Sequence, residues 1–167
     1  PFIDSNVATV KAVINSAYCL KKYSSNKIKP IIIDAIGEWQ NFEKELENKE
    51  INVIKFKILK NFYEFLPRFG FFKSRFSYIL ISITTFLKLY HFLKNKKEND
   101  LIIIHLLSSL PLLMISLFSF RCKFALRISG LPYMNFLRKY LWRSSNSKLS
   151  FITCPTNDTR NDLLKLK

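Results

Sequence analysis

Glycine, proline and cysteine are scarce in this chain, and each scarcity excludes a class of protein. Three glycines and six prolines in 167 residues exclude collagen-like and low-complexity proteins, which are rich in these residues. The three cysteines are scattered and form no C-x-x-C pair, so neither a disulfide framework nor a zinc site is indicated, and a reducing, cytoplasmic setting is expected. The N-terminus has no basic segment followed by a long apolar one, so no signal peptide is predicted.

Acidic residues are also few. Twelve Asp and Glu stand against 27 Lys and Arg, which gives a formal net charge of +15. This excess predicts an anionic partner: nucleic acid, anionic lipid or a phosphorylated substrate. Because hydrophobic residues make up 49% of the chain, we expect it to fold, as a single domain over residues 1–167.

The uncharged run 101–120 is long enough to span a membrane. It opens, however, on a β-branched segment that stops at His105, and Ser109 with Pro111 then has the pattern of a helix start. Basic residues flank both ends, so nothing sets an orientation across a membrane. We therefore predict a buried strand followed by a buried helix, with an integral membrane protein as the alternative.

Strand-like and helix-like segments alternate along the chain. The predicted helices are 7–23, 38–49, 74–97, 110–120, 134–145 and a last one that starts near Thr156 or Asn157. The predicted strands are 31–36, 51–56, 101–105, 122–128 and 149–154, and residues 57–73 are a predicted loop. Such alternation of apolar strands and helices is typical of an α/β, doubly wound, mostly parallel Rossmann-like sheet with helices on both faces. Because the series opens on a helix, we expect a first strand upstream of Pro1.

In sheets of this kind, ligands bind beyond the carboxyl ends of the strands. The candidate substrate-binding residues at those ends are Ser5, Asn6, Glu38, His105, Arg127, Ser129 and Gly130. No dinucleotide fingerprint and no P-loop accompanies them. An ordinary helix cap is the alternative for Ser5 and Asn6, and a hydrogen-bonded core histidine is the alternative for His105.

Arg127 follows the apolar residues 124–126, and an arginine within an apolar strand is costly unless it is paired. It either neutralises a carboxylate such as Asp34 or Glu38, or it binds a ligand phosphate or carboxylate through two hydrogen bonds. Ser129-Gly130 would let a ligand approach the backbone closely at the same strand end.

Basic and aromatic residues are interleaved between Lys55 and Lys97, where ten basic residues stand against one acid, Glu64. This composition suits a membrane interface, and helix 134–145 repeats it. The predicted membrane-surface residues are Lys57, Lys60, Arg68, Phe71, Phe72, Lys73 and Arg75. Stacking of single-stranded nucleic acid on the rings is one alternative, and a packed helix with a solvated basic face is another.

Six segments, in this order, resemble the N-terminal half of a family 4 glycosyltransferase of the GT-B fold, of the type that assembles bacterial surface polysaccharides such as lipopolysaccharide. They are "PFIDSNVATVKAVINSA", "AIGEWQNFEKEL", "LPRFGFFKSRFSY", "LIIIHLLSSLPLL", "LRISGLPYMNFLRKYLW" and "ITCPTNDTRNDL". The last two carry the most specific part of the resemblance.

The resemblance implies a domain that binds a glycan acceptor, often lipid-linked, at the inner face of the cytoplasmic membrane. A separate C-terminal domain would bind the nucleotide-diphosphate sugar, without metal or other cofactor, and transfer would retain the anomeric configuration. By position, Ser5 and Asn6 would face the donor diphosphate, and His105, Ser129 and Gly130 would line the cleft floor.

The chain departs from this family pattern at two positions. Many relatives have Gly-Gly in place of Ser5-Asn6, and many have histidine in place of Ser129. The donor half with its paired glutamates lies outside these residues, so we expect this segment alone to be inactive. The expected function is the acceptor-binding half of a retaining glycosyltransferase, and the alternative is a basic nucleic-acid-binding α/β domain.

Overall fold

The computed structural model describes residues 8–25, 27–56, 66, 71–105, 109–130 and 133–166. Over these residues the chain is mixed α/β, with parallel sheets, and is compatible with the Rossmann-like class that the sequence predicts. Contacts divide the chain into two compact units, residues 1–87 and 88–167. The boundary falls inside the long helix Phe71–Lys94.

The first unit combines helices with a two-stranded sheet. Its elements are helix α1 (Ala8–Tyr23), strand β1 (Ile31–Asp34), helix α2 (Glu43–Asn48) with a preceding 3-10 turn, strand β2 (Asn52–Lys55) and the first part of helix α3 (Phe71–Lys94). β1 and β2 run parallel, with Ile31 opposite Asn52. Apolar residues of α1 spaced by three or four positions meet the sheet. The buried core they form is Val10, Ile14, Ala17, Ile32, Trp39, Leu46 and Ile51.

The second unit is built around a three-stranded parallel sheet in the order β3-β4-β5. Its elements after α3 are strand β3 (Leu101–Ile104), helix α4 (Leu110–Leu117), strand β4 (Lys123–Arg127), helix α5 (Phe136–Ser145), strand β5 (Phe151–Thr153) and helix α6 (Asn157–Lys165). Three successive residues of β4, 124–126, are buried. Burial without alternation means that both faces of this central strand are covered.

The predicted element types are confirmed, because each of the six predicted helices and five predicted strands has a counterpart among the described residues. Several predicted boundaries are wrong. β1 ends at Asp34, not at residue 36, because Asp34 starts a hydrogen-bonded turn that closes at Glu38. Helix α3 begins at Phe71 and ends at Lys94, not at residues 74 and 97, and α4 ends at Leu117, beyond which Phe118 is extended.

The sequence predicts one doubly wound sheet, whereas the described strands form two, β1-β2 and β3-β4-β5. All three pairings in them are parallel. Parallel pairing with helical connections is the property that the α/β prediction required.

The uncharged run 101–120 is not a membrane-length helix. It contains β3 and the eight-residue helix α4, which is about 12 Å long, whereas a span needs about 20 helical residues. The segment Arg75–Lys94 of α3 has the length and composition of a span, with a mean hydropathy of 1.4. Core helices of soluble proteins also meet these two criteria.

Candidate functional site

The carboxyl edge of the three-stranded sheet brings polar side chains together. Ile104 of β3 lies opposite Leu126 of β4, so the next residues, His105 and Arg127, are neighbours. Arg127 in turn lies opposite Thr153 of β5. The Ile128 amide donates a hydrogen bond to the Thr153 carbonyl at 2.9 Å, which fixes this end of the pairing. Polar residues of three adjacent strands therefore lie at one edge of the sheet: Arg127 and Thr153 end β4 and β5, and His105 directly follows β3.

His105 is half-buried at this edge. Burial, and after it the positive charge of Arg127, lowers the pKa of His105 to about 4. Burial disfavours the charged imidazolium, and a nearby cation disfavours it further. At neutral pH His105 is therefore uncharged and has one donor and one acceptor nitrogen for a ligand.

Arg127 is exposed, which corrects the premise that it lies inside an apolar strand. It is the last residue of β4, where the strand leaves the buried layer. Because the guanidinium is in contact with water, Arg127 does not need an ion pair with Asp34 or Glu38 to offset the cost of burying its charge. Its guanidinium is accessible at the edge where parallel sheets bind ligands.

Ser129 and Gly130 follow directly and are both exposed. A Cβ built on Gly130 would meet no atom within 4 Å among the described residues. Among the described residues, this strand-end turn is therefore open and has room for a ligand beside the backbone.

Glu38 lies in a different environment, in the turn that follows β1. Its side chain is buried, with 2% of the residue exposed, and its carboxylate accepts hydrogen bonds from the amides of Ile36 at 2.8 Å and Ala35 at 3.4 Å. The Gly37 amide donates to Asp34 Oδ1 at 2.7 Å. Burial, with the neighbouring Asp34 carboxyl, raises the pKa of Glu38 to about 7. These contacts favour a role of Glu38 in holding the turn.

Five of the other predicted site residues lie outside the part of the chain that the structure describes: Ser5, Asn6, Lys57, Lys60 and Arg68. Phe71, Phe72 and Lys73 lie in the first turn of α3, and Arg75 is exposed on the same helix.

The sequence analysis did not predict two features of the structure. The first is the adjacency of His105 and Arg127, which depends on the register of β3 and β4. The second is a surface depression of about 360 Å³ on helix α5, lined by Phe136, Lys139, Tyr140, Arg143 and Ser144. Its signal in the sequence is the spacing of these residues, which places them on one face of a helix.

Comparisons with protein-family models, with curated proteins and with solved structures find no match for this chain.

Proposed function

We propose that this chain is the acceptor-binding half of a retaining glycosyltransferase with a doubly wound, Rossmann-like fold. The observation that carries the proposal is the group of His105, Arg127 and Thr153 at the carboxyl edge of a parallel sheet. That edge is where α/β sheets bind ligands. The family 4 resemblance also implies that His105, with Ser129 and Gly130, lines the floor of the cleft. The nucleotide-diphosphate sugar would be bound by a C-terminal domain that is not part of these residues.

The chemistry of the edge suits a glycan acceptor that carries a phosphate. The neutral imidazole of His105 can exchange hydrogen bonds with a sugar hydroxyl, which both donates and accepts. The exposed guanidinium of Arg127 suits a phosphate oxygen pair. Both residues are binding residues in this proposal, and no catalytic residue is assigned.

Substitution of Arg127 tests the proposal on the chain as it stands. Binding of a short polyprenyl-diphosphate-linked oligosaccharide in neutral detergent micelles is measured by calorimetry. We expect Arg127→Ala to weaken binding by roughly tenfold or more, the effect of losing a charged hydrogen bond. Arg121→Ala is the matched control, because Arg121 is also exposed but precedes the amino end of β4, about 20 Å from Arg127.

Equal affinities of wild type and both variants would contradict the proposed site. Absence of binding by the wild type to the phosphate-linked acceptor and to the free oligosaccharide would contradict the acceptor function itself.

A nucleic-acid-binding α/β domain is the second candidate, and the formal charge of +15 is the observation that favours it. Such a domain would bind oligonucleotides at physiological salt, with an affinity that falls steeply as salt rises. Oligonucleotide binding of this kind, without any binding of the acceptor, would make this candidate the better one.

A further inference from the structure

Helix α5 has two opposite faces, and the outward one is unusual. Its inner face is buried through Leu141, Trp142 and Ser145. On the outward side, Phe136 is 88% exposed, Leu137 61% and Tyr140 53%. A surface helix of a globular protein normally turns polar residues outward, and clustered exposed apolar side chains mark an interaction surface.

We propose that this outward face docks on an anionic lipid bilayer. The α5 outer face is defined as Phe136, Leu137, Lys139, Tyr140 and Arg143. Docking does not require the transferase function, since it depends on these five residues and on lipid alone.

The charge of the region identifies the partner as anionic. Helix α5 contains no carboxylate, and residues 101–157 include seven basic residues and no acidic one. Lys139 and Arg143 are four positions apart on the depression that Phe136 and Tyr140 also line. Like charges at this spacing repel each other, and an anionic surface removes that repulsion.

The apolar members identify the partner as lipid. Phe136 and Tyr140 are one helical turn apart, about 6 Å along the axis, with Leu137 beside Phe136. An interfacial helix inserts such side chains at the boundary of headgroups and acyl chains while its cations stay at the headgroups. Single-stranded nucleic acid requires rings distributed along a groove that follows the backbone, and an exposed leucine adds nothing to base stacking.

Vesicle flotation tests the proposal with the chain as described. The vesicles are phosphatidylcholine alone, or phosphatidylcholine mixed with phosphatidylglycerol. We expect binding only to the mixed vesicles, weakened roughly tenfold or more by the double substitution Phe136→Ser/Tyr140→Ser. The double substitution Lys139→Glu/Arg143→Glu should weaken binding at least as much, because each basic residue near an anionic surface contributes to binding.

Two double variants are matched controls. Tyr23→Ser/Ile28→Ser removes side chains of similar exposure, 80% and 47%, from the last residue of helix α1 and the segment after it. Lys27→Glu/Lys29→Glu makes the same change in charge at two exposed positions of the other unit. Both controls should bind mixed vesicles as the wild type does.

A reporter variant covers the case in which a double variant fails to fold. Both native tryptophans, Trp39 and Trp142, are buried, so Phe136→Trp adds an exposed fluorophore on the α5 outer face. Its emission should shift to the blue with mixed vesicles and be quenched by brominated lipid. Tyr23→Trp at the end of α1, an exposed position of the other unit, should show neither change.

Three results would overturn the proposal. The first is wild-type binding by both α5 double variants, and the second is loss of binding in the Tyr23→Ser/Ile28→Ser control alone. The third is a wild type that binds oligonucleotides but no mixed vesicles, which would assign the basic surface to nucleic acid. Since no sugar is present in this assay, its failure leaves the acceptor measurement unaffected.

Discussion

At the scale of single residues, the two titratable groups with the largest described perturbations, Glu38 and His105, have different consequences. Glu38 is in the interior, where it accepts backbone hydrogen bonds. His105 is at the sheet edge beside Arg127. A buried carboxyl that holds a turn affects folding, whereas a half-buried imidazole beside an exposed arginine is suited to binding. Both residues were predicted to bind substrate, because the sequence does not show how deeply each side chain is buried.

For Glu38 we predict a stability that falls as pH rises. Its folded pKa, about 7, is above its ordinary value of 4.5, so the folded state holds more protons than the unfolded state between these values. The free energy of unfolding is then highest below about pH 4.5 and decreases up to about pH 7. Glu38→Gln cannot ionise, so urea denaturation at pH 5 and pH 8 should give a smaller difference for this variant.

Glu47→Gln is the control for this experiment, because Glu47 is an exposed carboxylate of helix α2 in the same unit. The free energy of unfolding of the Glu47→Gln variant should change between pH 5 and pH 8 by as much as that of the wild type. If Glu38→Gln kept the full wild-type decrease, another group would be responsible for it.

For His105 we predict that Arg127→Ala raises the pKa toward its ordinary value of 6.5 without reaching it. The positive charge of Arg127 is one cause of the depression, but burial is the larger cause and remains. NMR titration of the imidazole signals measures this directly, and the chain has only one other histidine, His91. Arg121→Ala should leave the titration of His105 unchanged. No change with Arg127→Ala would mean that the two side chains are not neighbours.

At the scale of elements, strand β4 contributes buried residues to the core and an exposed residue to the carboxyl edge of the sheet. Leu126 is fully buried, and the next residue, Arg127, is exposed. We expect Leu126→Ala to lower the free energy of unfolding by about 2–5 kcal/mol, through lost burial and the cavity left behind. Arg127→Ala should change it by no more than about 0.5 kcal/mol, as is usual for an exposed side chain.

Urea denaturation of the two β4 variants measures both effects. A cost for Arg127→Ala as large as that for Leu126→Ala would favour the structural ion pair that the sequence left open. A small cost makes Arg127→Ala a clean probe of binding, because any loss of affinity is then not a loss of folding.

Element types were predictable because they depend on local patterns. The spacing of Val10, Ile14 and Ala17 predicts α1, and Thr156 caps α6 as its position suggests, since its hydroxyl accepts from the Thr159 amide at 3.2 Å. Boundaries were less predictable where side chains take over backbone hydrogen bonds, as at Asp34. The register of His105 with Arg127 was not predictable, since long-range pairing leaves no mark in a single sequence.

At the scale of the whole molecule, the single domain predicted for residues 1–167 stays a prediction, while the described chain consists of two compact units. The property of the whole chain that bears most on its partner is the formal charge of +15. Charge alone favours every polyanion, so it does not distinguish lipid from nucleic acid. The exposed apolar residues of the α5 outer face supply the distinction, because they interact with acyl chains and not with phosphate.

Salt dependence separates these two contributions. Screening weakens the attraction between the basic surface and anionic headgroups, but insertion of Phe136, Leu137 and Tyr140 is apolar and survives it. We therefore expect wild-type binding to mixed vesicles to decrease with added sodium chloride and then level off at a residual value. Phe136→Ser/Tyr140→Ser should bind at low salt and lose all binding at high salt, when flotation is repeated over a salt series. Binding that rests on phosphate contacts alone falls steeply with salt, as it does on DNA. A wild type whose vesicle binding fell in this way to zero, with no residual value, would contradict insertion of the α5 outer face.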